Sequence, residues 1–167
     1  MLFRSEIAMK RREWIGAALA APWVASPSAV LAHHGWSSFD QGRPIYLEGK
    51  VIAVRWGNPH AELDIEVPRN LKLPDDLIKR EIPAQTAPVD GRALLAQAVL
   101  PTRKDRQWEI ELAPLTRMEA WKVPEIKVGS AVSVLGFTLV GERGEAVMRV
   151  EYLYLAGKAY ALRSSPA

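Results

Sequence analysis

Cysteine is absent from the 167 residues, which excludes disulfides, thiolate metal sites and cysteine nucleophiles. Histidine is almost absent too: His33, His34 and His60 are the whole supply. No apolar run reaches the roughly twenty residues needed to span a bilayer; the longest covers residues 14–25 and is interrupted by Pro22. Positive charge is not concentrated, with 22 basic residues against 19 acidic ones and a formal net charge of +3. A nucleic-acid surface needs a basic stripe or patch, so no nucleic-acid partner is expected. A strained nucleophile elbow of the G-x-S-x-G type is missing, and neither Ser37-Ser38 nor Ser164-Ser165 sits at a strand-to-helix turn. Gly141 and Gly144 flank a hairpin tip and do not form a phosphate-cradling loop. These absences make an enzyme the minority expectation and a binder the leading one.

What is present begins with an export signal over residues 1–32. Arg4, Lys10, Arg11 and Arg12 precede the short apolar run, Ser26-Pro27-Ser28 breaks it, and Val30 and Ala32 occupy the small-residue positions of a cleavage site. The rival reading is a membrane anchor, which the shortness of the apolar run disfavours. Lys10-Arg11-Arg12-Glu13-Trp14-Ile15-Gly16 also resembles a twin-arginine signal. Cleavage after Ala32 leaves residues 33–167 as one exported, periplasmic domain with no stable membrane span. The signal removes four basic and two acidic residues, lowering the net charge of +3 by two.

Residues 45–56 are rich in β-branched and apolar side chains and end at Gly57-Asn58-Pro59, which is strand chemistry closed by turn chemistry. Residues 60–67 then alternate, with His60, Glu62, Asp64 and Glu66 on one face and Ala61, Leu63, Ile65 and Val67 on the other. Residues 68–106 lose the pattern under Pro68, Pro74, Pro83, Pro88 and Pro101. This stretch reads as an insertion, partly helical or mobile, with Asp90 capping a helix over residues 90–99. Strand character returns over residues 107–113, a short helix fits residues 115–121, and a nearly continuous apolar strand fits residues 131–140. A last long strand over residues 146–155 is extended by residues 158–162 after a Gly157 kink. Alternation assigns Trp56, Ala61, Leu63, Ile65, Trp108, Ile110, Leu112, Val132 and Val134 to one core. It leaves Glu62, Asp64, Glu66, Glu109 and Glu111 on a solvated face. The expected fold is all-β, a small five-stranded Greek-key barrel of the OB type with a short helix and the long insertion; a small open sandwich is the alternative.

The His33-His34 pair, Leu47-Glu48-Gly49-Lys50-Val51 and Trp56-Gly57-Asn58-Pro59-His60 together resemble a family of small exported bacterial proteins of unknown function. In that family a histidine pair precedes an E-G-x-V strand and a W-x-N-P-H motif. The resemblance also takes in Trp108-Glu109-Ile110-Glu111 and the Val128-Gly129 turn, and leaves out the insertion. It implies export and a compact β-barrel, and it brings no activity.

The chemistry must therefore come from the residues. A mature chain starting at His33 offers an α-amine and an imidazole from one residue, resembling the histidine brace of copper proteins. His60 or His34 would add a third nitrogen, with Glu62 and Asp64 on the strand face of His60 as outer-shell carboxylates. The expected site is thus His33, His34 and His60 with a copper ion. The plainer alternative is a loose tail at His33 and His34 with His60 bonded to the adjacent turn. Met118 and Met148 suit Cu(I) in principle, but their usual role is packing. A metal-free module that binds an envelope protein or small ligand is the competing function, and a copper-dependent redox enzyme is the third.

Overall fold

A computed structural model describes residues 35–167. The expected signal, and with it His33 and His34, lies outside the described residues. The chain runs through β1 (Ile45–Arg55), β2 (Glu62–Glu66), α1 (Gly91–Gln97), β3 (Gln107–Glu111), α2 (Leu115–Ala120), β4 (Ala131–Thr138), β5 (Val147–Leu155) and β6 (Lys158–Ala161). β1 pairs antiparallel with β2 and β4, β2 with β3, and β4 with β5. A parallel pairing of β3 with β5 then closes five strands into a barrel, with α2 between β3 and β4. This is the expected Greek-key barrel, and the closure rules out the open sandwich.

β1 serves both halves of the barrel because it bends. Ile45 to Lys50 face Gly136 to Ala131 of β4, whereas Lys50 to Arg55 face Glu66 to Glu62 of β2. At the crossing a Cβ on Gly49 would stand 2.4 Å from the carbonyl oxygen of Glu66, so only glycine permits that approach. A register shift between Val51 and Ala53 adds the local twist that turns the strand.

The alternation reads correctly along β2. Ala61, Leu63 and Ile65 are fully buried, and they join Trp108, Ile110, Leu112, Val132 and Val134 in one core with Trp56 packed at its edge. Met118 of α2 and Met148 of β5 complete this core, so both methionines serve packing. β6 departs from expectation. It does not prolong β5; it turns back and pairs antiparallel with it, Leu155 facing Lys158. Ala156 at φ 49° and Gly157 at φ 77° form the two-residue turn, a conformation that matches strand twist and favours glycine.

Residues 68–106 cover the outside of β1, β4 and β5. The Asp90 carboxylate accepts the Ala93 N–H at 2.9 Å and caps α1. Leu95 of α1, with Leu77 and Ala98, packs on the outward side chains of Tyr46, Leu135 and Tyr152 in a second apolar cluster. β4 is consequently buried on both faces, as its continuous apolar sequence requires. The end of the insertion is tied to the β4–β5 loop by Glu142, which accepts the backbone N–H groups of Thr102 and Arg103 and pairs with Arg43.

Two outcomes are expected. Leu63→Ala should lower stability by about 2–5 kcal/mol in denaturant titrations, because it opens a cavity in a sealed core. Glu62→Ala, on the outer face, should cost much less, and equal losses would contradict the register. For Glu142, burial alone would raise the pKa, but the Thr102, Arg103 and Arg43 donors outweigh it and hold the pKa down at about 2. A folded value below the ordinary 4.5 stabilises the protein fully above that pH, and the contribution disappears as pH falls toward 2. Glu142→Gln should therefore cost about 1–3 kcal/mol at neutral pH. The variant and the parent should converge in acid titrations monitored by circular dichroism.

Candidate functional site

The outer face of β2 and β3 is charged because the period-two pattern sends every other residue outward. In register, Glu62 lies opposite Glu111 and Asp64 opposite Glu109. Arg55, at the end of β1, reaches Glu62 at 2.7 Å, Glu109 at 3.1 Å and Asp64 at 3.2 Å. The Glu62 hydrogen bond, more than any other contact, raises the Arg55 pKa. Glu109 is also raised, by burial first and then by its carboxylate neighbours, against the pull of Arg55. One guanidinium thus serves three carboxylates and the patch stays acidic. His60 begins the same face, half-buried, two residues before Glu62.

Beside this patch the row continues into a buried ion pair. Glu111 faces Arg149 of β5 in the parallel pairing that closes the barrel. Their side chains are only 6% and 8% exposed, and Arg149 Nε donates to Glu111 Oε2 at 2.8 Å with a second bond from the same guanidinium. Trp36 and Phe39 roof the pair, their ring centres 5.4 Å and 5.2 Å from the Arg149 guanidinium carbon. Trp36 is held in turn by Arg163, 4.2 Å over its ring, and by the edge of Phe137. Arg163 donates to the fully buried Glu151 at 2.6 Å and to Gln41 at 2.8 Å, and Gln85 donates to Glu151 at 2.8 Å. Arg117 of α2 also lies close; burial and then repulsion from Arg149 lower its pKa. The aromatic roof keeps water from the Glu111–Arg149 pair, which strengthens the attraction and makes an unpaired partner costly.

Glu111 corrects the expectation that all five outward carboxylates are solvated. Alternation gives the side of the sheet and not what covers that side; here residues 36–39 cover it. β5 held an overlooked signal. In the otherwise apolar strand VMRVEYLYL, Arg149 and Glu151 have almost nowhere to meet water, so each must find an opposite charge.

Of the expected ligands only His60 is among the described residues, so the structure neither gathers nor separates His33, His34 and His60. Met148 points into the core opposite Ile110. Among the described residues, no three His, Cys, Asp or Glu side chains are grouped to hold a metal ion. Nor, among them, is any helix long and apolar enough to cross a membrane.

The fold and this face together define a small closed β-barrel with a charged wall sealed by its own N-terminal segment. Over residues 22–72 the chain is similar to a family of unknown function, DUF6152, whose model matches that stretch. The match takes in the histidine pair, β1, the Trp56-to-His60 turn and β2. No curated protein and no solved structure matches the chain.

The buried pair makes its own prediction. Glu111→Gln or Arg149→Met alone should cost about 3–5 kcal/mol, because each strands the remaining partner away from water. The double variant Glu111→Leu with Arg149→Met should recover much of the loss. A double-mutant cycle by urea unfolding measures this coupling, and simple additivity would show that the pair is not coupled.

Proposed function

We propose that the protein is exported and binds a copper ion through His33, as the mature N-terminal residue, together with His60 and with His34 nearby. One observation supports this reading above the others: the path of the chain at Trp36. Trp36 stacks on Arg149, Arg149 pairs with Glu111, and Glu111 stands opposite Glu62, two residues from His60 on the same face. Crossing from β5 to β2 spans two strand spacings, about 10 Å. The three residues from Trp36 back to His33 can also extend by about 10 Å. An N-terminal amine carried by that segment would come to the Glu62 level of this face, and the side chains of His33 and His60 would span the remaining two residues, about 7 Å. The surplus of carboxylate around Arg55 favours a cation there. Nitrogen ligands of this kind suit Cu(II).

Intact-mass measurement of protein recovered from the envelope should give a chain beginning at His33. That chain should bind one Cu(II) through nitrogen ligands, read by calorimetry and electron paramagnetic resonance. Affinity should fall as pH drops through the histidine range, since protons and metal compete for the same lone pairs. One residue added before His33 turns the amine into an amide and should weaken binding sharply. His60→Ala should weaken it as well, while Met148→Leu should leave it intact. Binding unchanged by both the extension and His60→Ala would overturn the site and favour the metal-free interaction module.

A further inference from the structure

On the opposite wall of the barrel a cavity of about 380 Å³ opens between the insertion and the β5–β6 turn. Its inner part is formed by Arg80, Ser133 and Tyr154, and its rim by Asp76, Glu81 and Lys158. The guanidinium of Arg80 is held between two aromatic rings, 4.9 Å from the centre of Tyr154 and 5.4 Å from that of Tyr46. Both phenols are raised to about 12, chiefly by burial, so the rings stay neutral and present their π-faces to the cation. One Arg80 nitrogen donates to Ser133 Oγ at 2.9 Å, and another approaches the Tyr46 hydroxyl at 3.5 Å. That hydroxyl is itself committed to Glu48 at 2.5 Å.

Arg80 differs in its partners from Arg149 and Arg163, and shares the lack of a carboxylate with Arg117, whose hydrogen bond is to the Leu162 carbonyl. Arg149 and Arg163 each hold a buried carboxylate, whereas Arg80 makes no ion pair within 4 Å among the described residues. A guanidinium has five N–H donors in a planar fork suited to a carboxylate, and Ser133 and Tyr46 do not exhaust them. The cavity therefore has an oriented cation inside with no carboxylate in direct contact, Glu48 standing beyond the Tyr46 hydroxyl, while its rim carries Asp76 and Glu81 against Lys158. A plain anion would be attracted by Arg80 and repelled by the rim. A molecule with a carboxylate at one end and an ammonium at the other satisfies both.

We propose that this cavity binds a small amino-carboxylate of the free amino acid class, its carboxylate on Arg80 and Ser133 and its ammonium toward Asp76 and Glu81. The site is separate from the copper reading and does not depend on it. Pre-orientation of the guanidinium by Tyr46 and Tyr154 lowers the ordering cost of binding.

The test uses the full protein with no added metal, titrated by calorimetry and followed by amide chemical shifts. The probes are the standard L-amino acids, acetate, methylamine and inorganic phosphate. Saturable one-to-one binding of at least one amino acid is expected, with acetate and methylamine weaker by about tenfold or more. Arg80→Lys keeps the charge but loses the fork, and should weaken that binding by about tenfold. Asp76→Asn with Glu81→Gln should erase the preference over acetate while leaving the fold unchanged by thermal melting. No heat and no shift changes with any probe would overturn the site. Acetate or phosphate binding as tightly as amino acids would overturn the zwitterion. Undiminished binding in a folded Arg80→Lys variant would overturn the assignment to this cavity.

Discussion

β3 and β5 meet in parallel over only three residue pairs, and that short seam decides whether the sheet is a barrel. Inside it Ile110 faces Met148, both fully buried; outside it Glu111 faces Arg149. The inner pair contributes through removal of apolar surface from water. The outer pair contributes only because its charges are matched and roofed, since a lone charge in that position would cost several kcal/mol of desolvation, on the order of 3–5. The roof is Trp36 and Phe39, so the seam and the seating of the N-terminal segment are one structural problem. Arg163 and Glu151 extend the solution to β5 and the C-terminal segment by gripping Trp36 from its other side.

The same economy governs the opposite wall. Tyr46, Leu135 and Tyr152 point outward from β1, β4 and β5, and would leave an apolar face in water if the chain passed directly from β2 to β3. Residues 68–106 supply the cover. Leu77, Leu95 and Ala98 provide apolar contact, while Glu142 and Arg103 fasten the far end through bonds to backbone groups. The long connection between two neighbouring antiparallel strands thus has an energetic reason. It buries a second surface that the barrel cannot bury against itself.

Much of this was legible from the residues. The period-two pattern of 60–67 placed Leu63 and Ile65 inside, and the unbroken apolar run of β4 announced burial on both faces. Turn chemistry located the β1–β2 connection. Three features escaped. β6 reversed direction because Ala156 adopts a left-handed conformation, which an alanine does not advertise. Alternation puts Glu111 on the solvated side because it reports only the side of a sheet, and the cover comes from Trp36 and Phe39, more than seventy residues away in sequence. The Arg80 cavity joins the insertion to β4 and β5, and no local pattern links those segments.

The two charged walls of the barrel differ in how their arginines are used. Arg149 and Arg163 are neutralised by Glu111 and Glu151 in direct ion pairs, so they hold the structure together. Arg55 is over-neutralised by Glu62, Asp64 and Glu109, leaving negative charge on the face that His60 begins. Arg80 lies against two phenol rings and bonds Ser133, with no carboxylate in direct contact. A stable barrel needs only the balanced kind. The two arrangements lie on opposite walls: one has three carboxylates about a single guanidinium, the other a guanidinium that no carboxylate touches.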